Sequence, residues 1–250
     1  MKFKSKRDLL LKTLVLKEIG EGSQGICYLD SNNKLVYKIY HEFFDGSMGD
    51  YNYNYNYNNI MQFSNIKNNT YISPKDVIEV DDKVVGYIEP YVNSKDLSSI
   101  NPLKISLDKL ITNINNARID IERISEYGIQ TYDVMYNILY KNKFNVIDSD
   151  EYVIKDIDPS ILIERNNNNF DYAIYNFLID NYFDEFVNSY RLLKEMYNDK
   201  EADVIIFIEL LRKYLSEYIG DEVSKLNDAK ECMNKRKILE PFYIRDIKMK

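Results

Sequence analysis

The 250-residue chain has no tryptophan, one histidine and two cysteines. With His41 alone, a histidine-built metal site or a Ser-His-Asp triad has almost nothing to draw on. Any catalysis must rest on Asp, Glu, Lys, Asn or a bound ion. Cys27 and Cys232 lie far apart and fit no metal spacing. They offer no disulfide framework, so a reducing cytoplasm is the expected compartment. No window approaches the ~20 apolar residues of a membrane-spanning helix. The apolar run Leu9 to Leu16 is broken by Lys12 and Thr13 and lacks a small-residue cleavage site, so no signal peptide is expected. Positive charge is also short, with 33 Lys and Arg against 40 Asp and Glu and a net charge of −7. That balance disfavours nucleic acid and anionic membrane as partners. The one locally basic piece, Lys2, Lys4, Lys6, Arg7 and Lys12, reads as a solvated N-terminal extension.

What is present is an ordinary globular composition, 45% hydrophobic and 29% charged. The length suits one large domain or two small lobes. Tyr51 to Asn58 is four consecutive Tyr-Asn pairs, a low-complexity stretch read as an insert. Residues 14–92 look mainly β, with strands expected over Leu14–Ile19, Ile26–Leu29, Leu35–Tyr40, Val77–Val80 and Val84–Tyr91. A short helical segment is expected near Asn59–Ile66. From Ile105 to Tyr127, apolar residues recur at three- and four-residue steps, which predicts a helix. Tyr132–Tyr140 and Phe144–Asp150 read as a hairpin, and Tyr172–Leu193 and Asp203–Ile219 as helices. The expectation is therefore α+β. It places a β-rich N-lobe over residues 1–92, a helical C-lobe with an embedded hairpin over 93–250, and a cleft between them.

The stretch from Leu16 to Ile39 carries Gly20-x-Gly22-x-x-Gly25, and Lys38 falls in the second of the two β-like runs that follow. A dinucleotide-binding unit would open a helix at these glycines. Here the residues after Gly25 are β-like and split by the turn Asp30-Ser31-Asn32-Asn33, which is hairpin chemistry. A Walker loop fails for want of Gly-Lys-Ser/Thr. The remaining readings are a hairpin without a ligand and a glycine lid over nucleotide phosphates, with Lys38 as a fixed cation beside them. Further along, Asp133, Asn137 and Asp148 bracket the second hairpin. Oxygen ligands of this kind suit Mg²⁺, which takes one or two carboxylates plus phosphates and water.

These two constellations together resemble a protein-kinase-like phosphotransferase. The resemblance runs from about Leu16 to Tyr152. It matches Gly20, Gly22 and Gly25 to the loop over ATP, with Ser23 inside it, and Lys38 to the phosphate-binding strand lysine. Asp133 takes the place of the catalytic-loop aspartate, and Asn137 and Asp148 those of the magnesium ligands. Val84–Tyr91 resembles the strand and hinge that meet adenine, which adds Glu89 and Tyr91 to the cofactor site. ATP and Mg²⁺ are the implied cofactors, and a protein Ser/Thr or small-molecule hydroxyl is the implied acceptor.

The chain departs from that family at several points. Asp133 and Asn137 are four apart instead of five, Ser149-Asp150 stands where Phe-Gly is usual, and no Ala-Pro-Glu segment follows. No glutamate lies between Phe43 and Thr70 to pair with Lys38 from a helix. Three readings follow: an active phosphotransferase, a pseudokinase that binds nucleotide or acts as a scaffold, and a structural or interaction protein.

Overall fold

The computed structural model describes residues 1–45, 57–179, 183–199 and 202–235. Most of the Tyr-Asn repeat lies outside the described residues. The chain is mixed α+β and divides into two compact units. The first comprises Met1–Asn93 together with Val146–Val153, and the second Ser94–Asn145 and Ile154–Lys250.

The first unit is built on one six-stranded sheet. Its elements are β1 (Lys2–Phe3), α1 (Lys6–Thr13), β2 (Lys17–Glu21), β3 (Gly25–Asp30), β4 (Leu35–Tyr40), α2 (His41–Asp45), α3 (Tyr57–Met61), β5 (Asp76–Val80) and β6 (Lys83–Pro90). The strand order is β1-β5-β6-β4-β3-β2, antiparallel except where β1 joins β5. The basic N-terminus is thus no free extension. Lys2–Phe3 completes the sheet, and the Lys2 ammonium reaches Glu79 at 3.1 Å. Helix α1 starts on the Ser5 side chain, which accepts from the Asp8 N–H, and sinks Leu9 fully into the core. The β5–β6 turn uses Asp81 and Asp82, both at positive φ (51° and 58°). Two consecutive left-handed residues match the right-handed twist of the flanking strands.

Alternation along β4 separates two faces. Tyr37 and Ile39 join Leu9, Phe43, Ile78, Val80 and Ile88 in one buried cluster. On the opposite face Tyr40 joins Ile60 of α3, Val77 and Tyr87. Lys38 belongs to that second face, as do its cross-strand neighbours Cys27 and Tyr87.

The second unit contains β7 (Lys95–Asp96), α4 (Leu107–Glu126), β8 (Ile129–Gln130), β9 (Ile138–Tyr140), β10 (Phe144–Val146), β11 (Val153–Ile154), α5 (Pro159–Ile179), α6 (Asp184–Ser189), α7 (Arg191–Asp199), α8 (Val204–Ile219) and α9 (Leu226–Lys235). β10 and β11 straddle the division between the units. Helix α4 follows its periodicity, burying Leu107, Leu110, Ile114, Ala117, Ile121 and Ile124 behind a Ser106 N-cap. The first long tail helix departs from expectation. It starts at Pro159, with Asp158 accepting from the Ser160 N–H at 2.8 Å, and ends at Ile179 instead of running over 172–193. Helix α8 is capped by Asp203 at its start and by left-handed Gly220 (φ 69°) at its end. Arg118 of α4 binds both Asp171 of α5 (2.9 Å) and Asp203 (2.7 Å), tying the three helices together. Among the described residues, no helix is long and apolar enough to cross a membrane.

Candidate active site

In the first unit the glycine turn is short. Gly22 donates its N–H to the Gly25 carbonyl at 2.9 Å, leaving Ser23 and Gln24 at the tip. Gly25 is glycine because β4 runs close beneath it: a Cβ there would lie 2.3 Å from the Ile39 carbonyl oxygen. Gly20 and Gly22 differ. Neither adopts a positive φ, and a Cβ on either would meet nothing within 4 Å. Among the described residues nothing packs where their side chains would be, so the backbone of the turn is uncovered there. Gly20 also sits at an irregularity in the β2–β3 register, which leaves Ile19 unpaired. His41 Nε2 lies 2.9 Å from the Gly22 carbonyl and steadies the turn from the side.

Lys38 is the centre of the site. Its side chain is 6% exposed, and its ammonium binds the Asp148 carboxylate, the Gln24 side-chain carbonyl (2.5 Å) and the Asp150 carboxylate (3.4 Å). An ammonium has three donors, so this one is fully engaged. Burial alone would lower the Lys38 pKa, but Asp148 and Asp150 outweigh it and hold the charge. The lysine that lacked a helix-borne glutamate in the sequence therefore has two acidic partners from the returning segment 146–153. Tyr87 donates to Asp148 at 2.8 Å and Tyr40 to Asp150 at 2.9 Å. Gln24 also donates to Glu151, so the tip of the turn is pinned at both ends of its amide.

The carboxyls do not ionise alike. Burial works against the Asp148 anion, yet Lys38 holds its pKa below the ordinary value. Asp150 is pushed up to about 7 by burial, with Lys38 opposing and Asp148 reinforcing the rise. Glu89 is pushed up to about 8 by burial and then by Asp148. Burial raises the Cys27 thiol to about 12, so it is no nucleophile at neutral pH. Asp148 adopts a left-handed backbone (φ 65°), a conformation that Asp tolerates better than most residues and that recurs at functional sites. Tyr91 is different: its ring is exposed, and its N–H closes on the Lys34 carbonyl at 2.9 Å.

Asp133 and Asn137 belong to the second unit. The expected strand from Tyr132 to Tyr140 is instead a loop, a 3-10 turn over Val134–Tyr136, and the short β9. Asp133 is left-handed (φ 50°), its carboxylate is exposed, and it does not cap the turn that follows. Asn137 donates its side-chain amide to the Asp133 carbonyl at 3.2 Å, which closes the loop with four residues from Asp to Asn. The loop is held from behind by Asn166 of α5, which is fully buried. Its Oδ1 accepts from the Thr131 N–H (2.9 Å) and hydroxyl (3.0 Å), and its Nδ2 donates to Ser125 Oγ and the Ile129 carbonyl. Asn169 adds a bond to the Thr131 carbonyl.

Among the described residues, no group of three or more His, Cys, Asp or Glu side chains is placed to hold a metal ion. Asp148 in the first unit and, separately, Asp133 and Asn137 in the second are oxygen donors of the kind that suits an ion taking most of its ligands from phosphate and water. The bare backbone at Gly20 and Gly22 and the buried cation at Lys38 suit a polyphosphate.

Gln24, Tyr40, Tyr87 and Asp150 were not singled out by sequence reasoning. Two-residue alternation from Lys38 marks Tyr40, and hairpin register marks Tyr87, but Gln24 and Asp150 carried no local signal. No family model matches the chain, and the search of curated proteins found no match.

Proposed function

We propose that the chain is an ATP-dependent phosphotransferase of protein-kinase-like, two-lobed fold that transfers the γ-phosphoryl group to a hydroxyl acceptor. The observation that carries this reading is Lys38, a buried ammonium on a central strand. Asp148 holds it, and the same compact unit presents a glycine turn with uncovered backbone. Phosphoryl transfer demands positioning and charge stabilisation with little covalent chemistry from the protein, so a few such groups suffice.

In this reading the backbone around Gly20–Gly25 covers the phosphates, and the ammonium of Lys38 orients them, exchanging its Gln24 contact for a phosphate oxygen. Asp148 and Asn137 would hold Mg²⁺, which when bound neutralises charge on the transferring phosphoryl group. Asp133, an exposed carboxylate on a loop stiffened by Asn166, positions the acceptor hydroxyl and accepts its proton. Asp150 serves as the lysine's second counter-ion, in place of a helix-borne glutamate.

The full engagement of Lys38 favours one other reading, a pseudokinase that binds nucleotide or a partner without turnover. Purified protein with Mg-ATP separates the two. The phosphotransferase shows ATP turnover or autophosphorylation that Asp148→Asn and Asp133→Asn abolish. Undiminished turnover in Asp148→Asn would overturn the assignment of Asp148. A nucleotide-dependent rise in melting temperature without turnover would favour the pseudokinase.

A further inference from the structure

The amide of Gln24 is turned inward, onto the site it helps to cover. Its carbonyl accepts from the Lys38 ammonium at 2.5 Å, and its NH₂ group donates to Glu151. All three residues belong to the first unit. The backbone at the tip is held separately: the Gln24 main-chain carbonyl accepts from the His41 N–H at 3.0 Å, and Gly22 closes onto Gly25. The side chain can therefore swing away by rotation about its own bonds while the turn stays in place. The three partners of the ammonium are also unequal. Asp148 and Asp150 hold the lysine charged, and each is steadied by a tyrosine hydroxyl, from Tyr87 and Tyr40. Gln24 is the neutral partner and stands half-buried beside exposed Ser23. With its three donors taken, the ammonium can bond a further oxygen only when one of these groups leaves. Gln24 leaves most readily, because it takes no charge with it. Loss of a carboxylate would leave a buried cation short of anions.

We infer that Gln24 is a built-in competitor for the phosphate position. Its amide oxygen takes on Lys38 the place of a nucleotide phosphate oxygen, and Glu151 is the catch that holds it there. This rests on the nucleotide-binding reading above and adds a regulation to that site. The latch keeps the buried ammonium fully bonded when no phosphate is at hand, and an arriving phosphate must displace it. Nucleotide affinity is thereby lowered in proportion to the fraction of molecules with the latch open. Whatever draws the Gln24 side chain off Lys38 raises the affinity by the same proportion.

The test is calorimetric binding of Mg-ATP and of adenosine to the wild-type protein, Gln24→Ala and Gln24→Met. Methionine has nearly the length of glutamine but only a weak acceptor, so it opens the latch with little change in shape. Both variants should bind Mg-ATP about tenfold more tightly than the wild-type protein, because no hydrogen bond to a charged group opposes the phosphate. Adenosine carries no phosphate and should show no difference among the three proteins. Glu151→Gln removes none of the three groups on the ammonium and weakens only the catch. It should give a smaller gain, again for Mg-ATP alone. Equal or weaker binding of Mg-ATP by both Gln24 variants would overturn the proposal and leave the nucleotide reading standing. So would an equal gain for adenosine. Failure of wild-type protein and variants alike to bind Mg-ATP is the distinct outcome that overturns the nucleotide reading itself, and the proposal with it.

Discussion

Replacing Glu89 by glutamine should change how stability depends on pH more than stability at any acid pH. The folded-state pKa of Glu89 is about 8, against an ordinary 4.5, with burial as the first cause. The folded protein therefore keeps a proton that the unfolded chain releases above pH 4.5. Its contribution is fully present below the unfolded pKa and is lost as pH rises through about 8. Each pKa unit is worth about 1.4 kcal/mol, so 3.5 units amount to about 5 kcal/mol lost between pH 4.5 and 9. Glutamine has nearly the same shape and never ionises. Urea denaturation across that range should give a wild-type stability that falls steeply and a Glu89→Gln stability that falls less. The residual slope in both belongs to the other raised carboxyls, Asp150 at about 7 and Asp171 at about 6. The gap between the two proteins should grow by about 3–5 kcal/mol from acid to alkaline pH. Parallel curves would show that Glu89 is not a buried neutral acid, and the reasoning from its burial would be wrong.

Two further substitutions probe the scaffold and the turn. Asn166→Ala removes all four hydrogen bonds that brace the Asp133 loop and leaves buried partners unsatisfied, so it should cost about 3–5 kcal/mol in urea or thermal unfolding. A loss under about 1 kcal/mol would mean the loop does not depend on that brace. Gly25→Ala drives a methyl group toward the Ile39 carbonyl and should destabilise by about 1–3 kcal/mol, whereas Gly22→Ala meets open space and should stay within about 0.5 kcal/mol. Equal effects at the two positions, read from melting temperatures, would contradict the distinction between a glycine packed against backbone and one beside open space.

How much could be read from the sequence depended on how local the cause was. The β5–β6 hairpin was legible because Asp81-Asp82 and the alternation beside it act within a few residues. Helix α4 was legible because its apolar step repeats along one continuous stretch, whereas its Ser106 cap emerged only in the structure. Helix α5 hid its first half behind Arg165 and four consecutive asparagines, a composition that disfavours helix. Asn166 makes sense there only because tertiary partners at Ser125, Ile129 and Thr131 need a buried amide. The two-residue strand β1 had no pattern to show. Lys38 was legible as a residue, but its partners were not, since Asp150 and Asp148 lie more than a hundred residues away in sequence. Charge compensation at that distance leaves no periodicity to detect.

That separation bears on how the protein is made. Lys38 is buried on β4, but the carboxylates that neutralise it follow 110 and 112 residues later. During synthesis all six strands of the first sheet, the last of which ends at Pro90, are made before Asp148 and Asp150 exist. Until then the sheet must keep an uncompensated ammonium in contact with water. The nascent first unit is accordingly an open platform, completed only when the chain has passed through the start of the second unit and come back. A fragment ending at Asn93 would contain every strand of the sheet and still lack the anions that allow its centre to close.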